Sequence, residues 1–155
     1  MVWTPVSFGN KYKGKTLPQI LFSDPAWFFV AIEKDTFKDT GMIAEEAVVL
    51  NRRARHIKIP LRYGAVRIEY TSHKGKFYSI DLRNFDNSTY GETSSTILYD
   101  VIDLSKAGEI ALYDNLGCKR MLEDIKDILF GSKKYIMDKK RCEDFFANED
   151  NFTVK

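Results

Sequence analysis

The residues with the clearest chemical potential lie in one short stretch, Phe8-Gly9-Asn10-Lys11-Tyr12-Lys13-Gly14-Lys15-Thr16. Lysine ammonium groups beside glycine-flanked backbone N–H groups suit phosphate oxygens, and a tyrosine among them can stack on an unpaired base. Lys11, Tyr12, Lys13 and Lys15 are therefore candidate nucleic-acid contacts. A second cationic group, Arg52, Arg53 and Arg55 with His56, has the composition for phosphate contacts of salt-dependent strength. Each group also has a plain structural reading. Tyr12 can pack inward while the lysines stay solvated, and the arginines suit the negative end of a helix dipole. His73 and Lys74 add a third basic point at a turn. The first loop is not a nucleotide-hydrolase phosphate loop. The Gly9–Gly14 spacing fits, but Lys15-Thr16 runs into Pro18 and a helix-capping pattern, with no long buried strand before it.

A catalytic centre is harder to find. Glu69 and Asp81 fall on the polar side of two facing strands, where a pair of carboxylates can hold Mg²⁺. Arg67 and Arg83 share that side, and cross-strand ion pairs explain the four residues more simply. Two histidines and two cysteines, Cys118 and Cys142, are too few and too scattered for a structural zinc site. No Ser/His/Asp or Cys/His arrangement is recognised. The expectation is no metal, no cofactor and a non-enzymatic role.

The elements that must position these residues follow from pattern. Val6 to Phe8 reads as an extended lead-in. Thr16-x-x-Gln19 is a capping box, and Asp24-Pro25 places an N-cap and a first-turn proline ahead of Trp27, Phe28 and Phe29. Three adjacent aromatics cannot share one helix face, so at least one is expected near the surface unless another element covers it. Residues 41–57 read as a helix, with Ile43, Ala47, Leu50, Ala54 and Ile57 on one face and Pro60 beyond its end. Residues 65–71 and 76–83 alternate in polarity and predict a β-hairpin with a turn at Ser72–Gly75. Asn84 to Ser95 is loop-like, and Thr96 to Leu104 reads as a third strand. Asp114 or Asn115 opens a helix that Gly131 closes, and Asp138 caps a last helix with Cys142, Phe145 and Phe146 inward. Helices, then strands, then helices predict an α+β fold with a three-stranded antiparallel sheet.

Bulk properties narrow the class. A chain of 155 residues, 44% hydrophobic and 14% aromatic, suits one folded domain spanning 1–155 rather than a disordered one. No segment approaches the roughly 18 apolar residues of a membrane span, and two isolated cysteines suit reduced thiols, so a cytoplasmic setting is expected. The net charge of +2 conceals a split. Residues 1–76 carry 13 Lys and Arg against 7 Asp and Glu, whereas residues 77–155 carry 11 against 15. Such a dipolar molecule can orient on a polyanion or on a partner protein.

The front of the chain resembles a small module found at the C-terminal end of exodeoxyribonuclease-X-type exonucleases and in standalone phage and bacterial proteins. That module carries a Phe-Gly-Lys-Tyr-Lys-Gly-Lys signature, an apolar turn and an Asp-Pro-aromatic helix start. Phe8, Gly9, Lys11, Tyr12, Lys13, Gly14 and Lys15 match, followed by Leu17, Ile20, Asp24, Pro25 and Trp27. Asn10 departs from the pattern as one extra residue. The resemblance spans residues 8–33 and implies company with DNA-processing machinery, not catalysis, since the nuclease activity of those enzymes belongs to a separate domain. The expected partners are thus nucleic acid, DNA or RNA, or a DNA-processing complex, bound through Lys11, Tyr12, Lys13, Lys15, Arg52, Arg53 and Arg55. The rival expectation is a protein–protein module, for example a phage-derived antagonist of a host complex. Its contact surface would be the acidic back half, with Glu123, Asp124, Asp127, Glu143 and Asp144.

Overall fold

The computed structural model describes residues 2–74, 76–84 and 96–154, so the loop expected at Asn84 to Ser95 lies almost entirely outside the described residues. The chain enters in extended form, with Trp3 and Val6 buried and the Trp3 indole N–H donating to the Glu143 carbonyl. Helix α1 (Leu17–Ser23) starts at Thr16, whose N–H donates to the Gln19 side chain at 3.0 Å, the reaching-back half of a capping box. The Thr16 hydroxyl is turned instead to the Glu143 carboxylate, 2.9 Å away, and so ties the first helix to the last. Asp24 caps α2 (Pro25–Glu33) by accepting the Trp27 N–H. Helix α3 (Met42–Ala54) follows.

Among the described residues, five strands form two antiparallel sheets. β2 (Val66–His73) and β3 (Lys76–Asn84) make the expected hairpin, and β4 (Thr96–Tyr99) pairs with the other edge of β2. The second sheet joins β1 (Ile57–Lys58) to β5 (Val101–Ile102). Three helices complete the chain: α4 (Leu104–Ala111), α5 (Asn115–Phe130) and α6 (Lys139–Ala147). The fold is α+β. Helix α1 packs on α6, α2 on α4, α4 on α5, and α5 against β3. No helix among the described residues is long and apolar enough to cross a membrane.

Two expected elements differ. The third helix stops at Ala54 rather than Ile57, because Ile57 pairs with Ile102 and bridges Phe152, gaining a fully buried strand position. The strand expected over Thr96 to Leu104 breaks at Asp100 and ends at Ile102. Asp103 then caps α4, its carboxylate accepting from the Ser105 N–H, so Leu104 begins a helix. The remaining caps stand as expected: Asp114 and Asp138 at the starts of α5 and α6, and Gly131 in the left-handed region (φ 83°) at the end of α5. Cys118 and Cys142 are free thiols, both buried, and burial pushes them up to about 11 and about 12 respectively.

Candidate nucleic-acid interface

The basic loop is closed by backbone bonds at its base. The Val6 N–H donates to the Lys15 carbonyl and the Gly14 N–H to the Val6 carbonyl, both at 2.8 Å. The Lys15 N–H returns to the Tyr12 carbonyl at 2.9 Å, which makes Tyr12–Lys15 a four-residue turn with Lys13 and Gly14 at its centre. Gly14 has φ 89°, the positive value that a type II turn requires at its third position and that favours glycine there.

The loop is also pinned to α2. The half-buried Tyr12 ring meets Trp27 edge-to-face at 5.2 Å, and its hydroxyl donates to the Asp24 carboxylate. The Lys11 ammonium donates to the same oxygen at 3.1 Å. Asp24 thus serves as helix cap and loop anchor together. Burial alone would raise its pKa, but the bonds from Tyr12, Lys11 and the Trp27 N–H outweigh it and hold the carboxyl below its ordinary value. Burial and the bond to Asp24 raise the Tyr12 phenol, and that same carboxylate raises Lys11.

These anchors divide the candidate residues. Tyr12 and Lys11 have intramolecular work to do, and the Tyr12 ring is taken by Trp27. Lys13 and Lys15 project from the turn, exposed, with no carboxylate within 4 Å among the described residues. Trp27 itself is covered by Tyr12 and by Phe37, while Phe28 and Phe29 are buried, so the aromatic run is absorbed by packing.

The three arginines do not form one surface. Successive helical residues turn by about 100°, so neighbours on α3 face different surroundings. Arg53 is only 5% exposed. Its guanidinium donates to the Phe146 carbonyl, lies 3.6 Å from Glu149 and sits over the Phe152 ring. Phe146 belongs to the last turn of α6, whose carbonyls lack helical partners, so Arg53 serves as a C-terminal cap and is not available to a phosphate. Arg55 lies over the Phe29 ring and donates to Asn51. Arg52 is exposed, beside a hollow of about 320 Å³ shared with Ile32, Phe37 and Val48. Phe37 touches Phe8 and Trp27 as well, so the Arg52 hollow and the basic loop flank one aromatic cluster.

Comparison with family models, curated proteins and solved structures returned no match. The site is therefore read from its own geometry. Arg83 lies 3.6 Å from Glu69 across the hairpin, the cross-strand pairing that the alternation suggested, and 3.7 Å from Asp81 on its own strand, while Arg67 pairs at 3.0 Å with Asp100, which lies between β4 and β5. No group of three His, Cys, Asp or Glu side chains is placed to hold a metal among the described residues. In the acidic back half, Lys133 binds Asp124, Lys140 binds Asp144, and Glu143 holds the Thr16 hydroxyl, which leaves Glu123 and Asp127 exposed without such ties.

A surface groove far less visible in the sequence lies near the 3-10 turn after β1. A groove of about 810 Å³ opens between the short 3-10 turn Leu61–Tyr63, the end of α5 and α6. Lys58, Arg62 and Arg141 rim it, and Leu61 stands at its lip, 94% exposed. Its members are scattered from residue 58 to residue 151 and share no periodicity. Only the isolated Pro60-Leu61-Arg62, an apolar residue between a helix breaker and a cation, hints at it.

Proposed function

We propose that the protein is a non-enzymatic nucleic-acid-binding accessory factor that grips phosphates through the turn Tyr12–Lys15. The observation that carries this reading is the pairing of a rigid base with free charge. Asp24 and Trp27 fix the loop, and the exposed side chains of Lys13, at the centre of the turn, and Lys15, at its end, have no carboxylate partner among the described residues. A preorganised pair of cations loses little freedom on binding, which favours contact with a polyanion. Arg52 supplies a further exposed cation on the far side of the aromatic cluster. Base stacking by Tyr12 is not part of the proposal, since its ring and hydroxyl are engaged. The resemblance of residues 8–33 to the module of exodeoxyribonuclease-X-type enzymes supports a place beside DNA-processing machinery, and the two free thiols suit a reducing cytoplasm.

With two or three phosphates neutralised, log K for duplex DNA falls against log salt with a slope of about −2 to −3. Fluorescence anisotropy with labelled single- and double-stranded oligonucleotides tests this. The Lys13→Glu, Lys15→Glu double variant is expected to weaken binding and flatten the slope. Retention of the labelled oligonucleotide unchanged by that variant would reject the proposal.

A further inference from the structure

The groove between the 3-10 turn Leu61–Tyr63 and α6 has a floor and a rim of different chemistry. Its floor is apolar, formed by Ile59, Leu129, Phe130, Met137 and Phe145. Leu61 at the lip is an exposed leucine whose side chain makes no use of the core. The cations of the rim are held in place by groups that do not neutralise them. Arg62 donates to the Ile128 carbonyl in the last turn of α5 and lies over the Tyr63 ring. Arg141 donates to the Ile136 carbonyl at 2.8 Å and lies 4.7 Å from the centre of the Tyr135 ring. Lys58 is exposed on β1. None of the three has a carboxylate within 4 Å among the described residues. Two carboxylates also border the groove, but Lys140 binds one of them, Asp144, which leaves Asp150 as the single acid opposite three cations.

We infer that this groove is a docking site for an acidic segment of a partner protein, one that places an apolar side chain on the floor and carboxylates against Lys58, Arg62 and Arg141. Charge complementarity selects an anion, because guanidinium groups held in place without counter-charges can take a carboxylate in a charge-assisted, bidentate hydrogen bond without first giving up an existing ion pair. The floor selects a ligand with an apolar anchor, and a volume of about 810 Å³ has room for one. A nucleic-acid strand fits less well. The Tyr135 ring is already stacked on Phe130 at 4.6 Å and covered by Arg141, so the aromatic platform a base needs is occupied. The site shares no residue with the Lys13–Lys15 turn and stands or falls independently of the proposed function.

The test uses the full chain and a fluorescein-labelled synthetic peptide, Asp-Glu-Asp-Phe-Asp-Leu-Glu, read by anisotropy. Saturable binding with Kd on the order of 10–100 μM is expected, weakening as salt is raised. Leu61→Asp and Lys58→Glu, both at exposed positions, are each expected to weaken it about tenfold or more with the melting temperature unchanged. The Lys13→Glu, Lys15→Glu variant is expected to bind the peptide as the natural chain does. Four results would overturn the inference: no saturation up to about 1 mM peptide, equal affinity in the Leu61→Asp chain, equal binding of a peptide with lysine in place of each acid, or displacement of the peptide by a single-stranded oligonucleotide that Leu61→Asp also releases.

Discussion

Replacing Arg53 by methionine separates the structural arginine from its exposed neighbours. Methionine keeps most of the stem volume and removes the charged head. The main loss is the charge-assisted hydrogen bond to the Phe146 carbonyl, worth about 1.5–3 kcal/mol, since that carbonyl at the end of α6 then has no donor. The contact with Glu149 adds little, because it is 3.6 Å long and its partner is 64% exposed. Against these losses, the buried Arg53 Nε has no hydrogen-bond partner, and its removal returns about 1 kcal/mol. The net expectation is a destabilisation of about 1 kcal/mol, which for a chain of this size lowers Tm by about 2–4 °C. Arg52→Met, on the exposed side of the same helix, is expected within about 0.5 kcal/mol of the natural chain. Thermal melts followed by circular dichroism read both. Oligonucleotide binding measured well below Tm should be unchanged by Arg53→Met and should lose salt slope in Arg52→Met. An Arg53→Met chain as stable as the natural one, but with a flatter salt dependence, would mean that this side chain faces solvent and phosphate after all.

The anchor of the basic loop makes two further predictions, and the start of α5 a third. Tyr12→Phe removes the bond to the Asp24 carboxylate and is expected to cost about 1–2 kcal/mol by chemical denaturation, with hydrogen exchange in residues 9–15 accelerated. The folded pKa of Asp24 lies below its ordinary 3.8, so its contribution to stability is present above that value and is lost as pH falls through the folded pKa. An acid titration of the natural chain against Asp24→Asn should show a stability difference at neutral pH that closes toward low pH, and a constant gap would contradict the linkage. Gly117→Ala places a Cβ 2.1 Å from the Asp114 carboxylate and 2.9 Å from the Phe77 Cβ, so the α5 cap and its bond to the Phe77 N–H must shift. A loss of about 2–3 kcal/mol is expected, and an unaltered melting curve would refute the close packing.

Much of the architecture was legible because it is written in local chemistry. Thr16 with Gln19, Asp24 with Pro25, Asp114, Asp138 and Gly131 mark helix ends through groups that satisfy orphan backbone donors and acceptors nearby in sequence. The alternation of Val66 to Leu82 likewise marks a hairpin in which one face is covered. What was not legible depends on distant partners. Ile57 continues the apolar stripe of α3, yet its pairing with Ile102 and Phe152 draws it into a strand, a tertiary preference that no helical period reveals. Asp103 was hidden inside an apparent strand because Val101 and Ile102 precede it and carry the β-branched signal. The site was harder still. Lysines on a glycine-bounded turn do project outward, but Arg52, Arg53 and Arg55 at the end of one helix look alike in sequence. Only the position of the α6 terminus makes Arg53 an internal cap, and only the Phe29 ring holds Arg55 down. The groove at Leu61 draws its members from β1, the 3-10 turn, α5, α6 and the residues that follow it, and only Pro60-Leu61-Arg62 marks it locally.

The central claim is that the turn at Lys13 and Lys15 is the part of this surface that meets a polyanion. The most direct measurement is the salt dependence of oligonucleotide binding for the natural chain and the Lys13→Glu, Lys15→Glu variant, compared at matched folding stability. The slope is expected to become shallower by about 1.4–1.8 in the variant, as two phosphate contacts are lost, with affinity down at least about tenfold. Equal slopes and equal affinities in the two chains would contradict it.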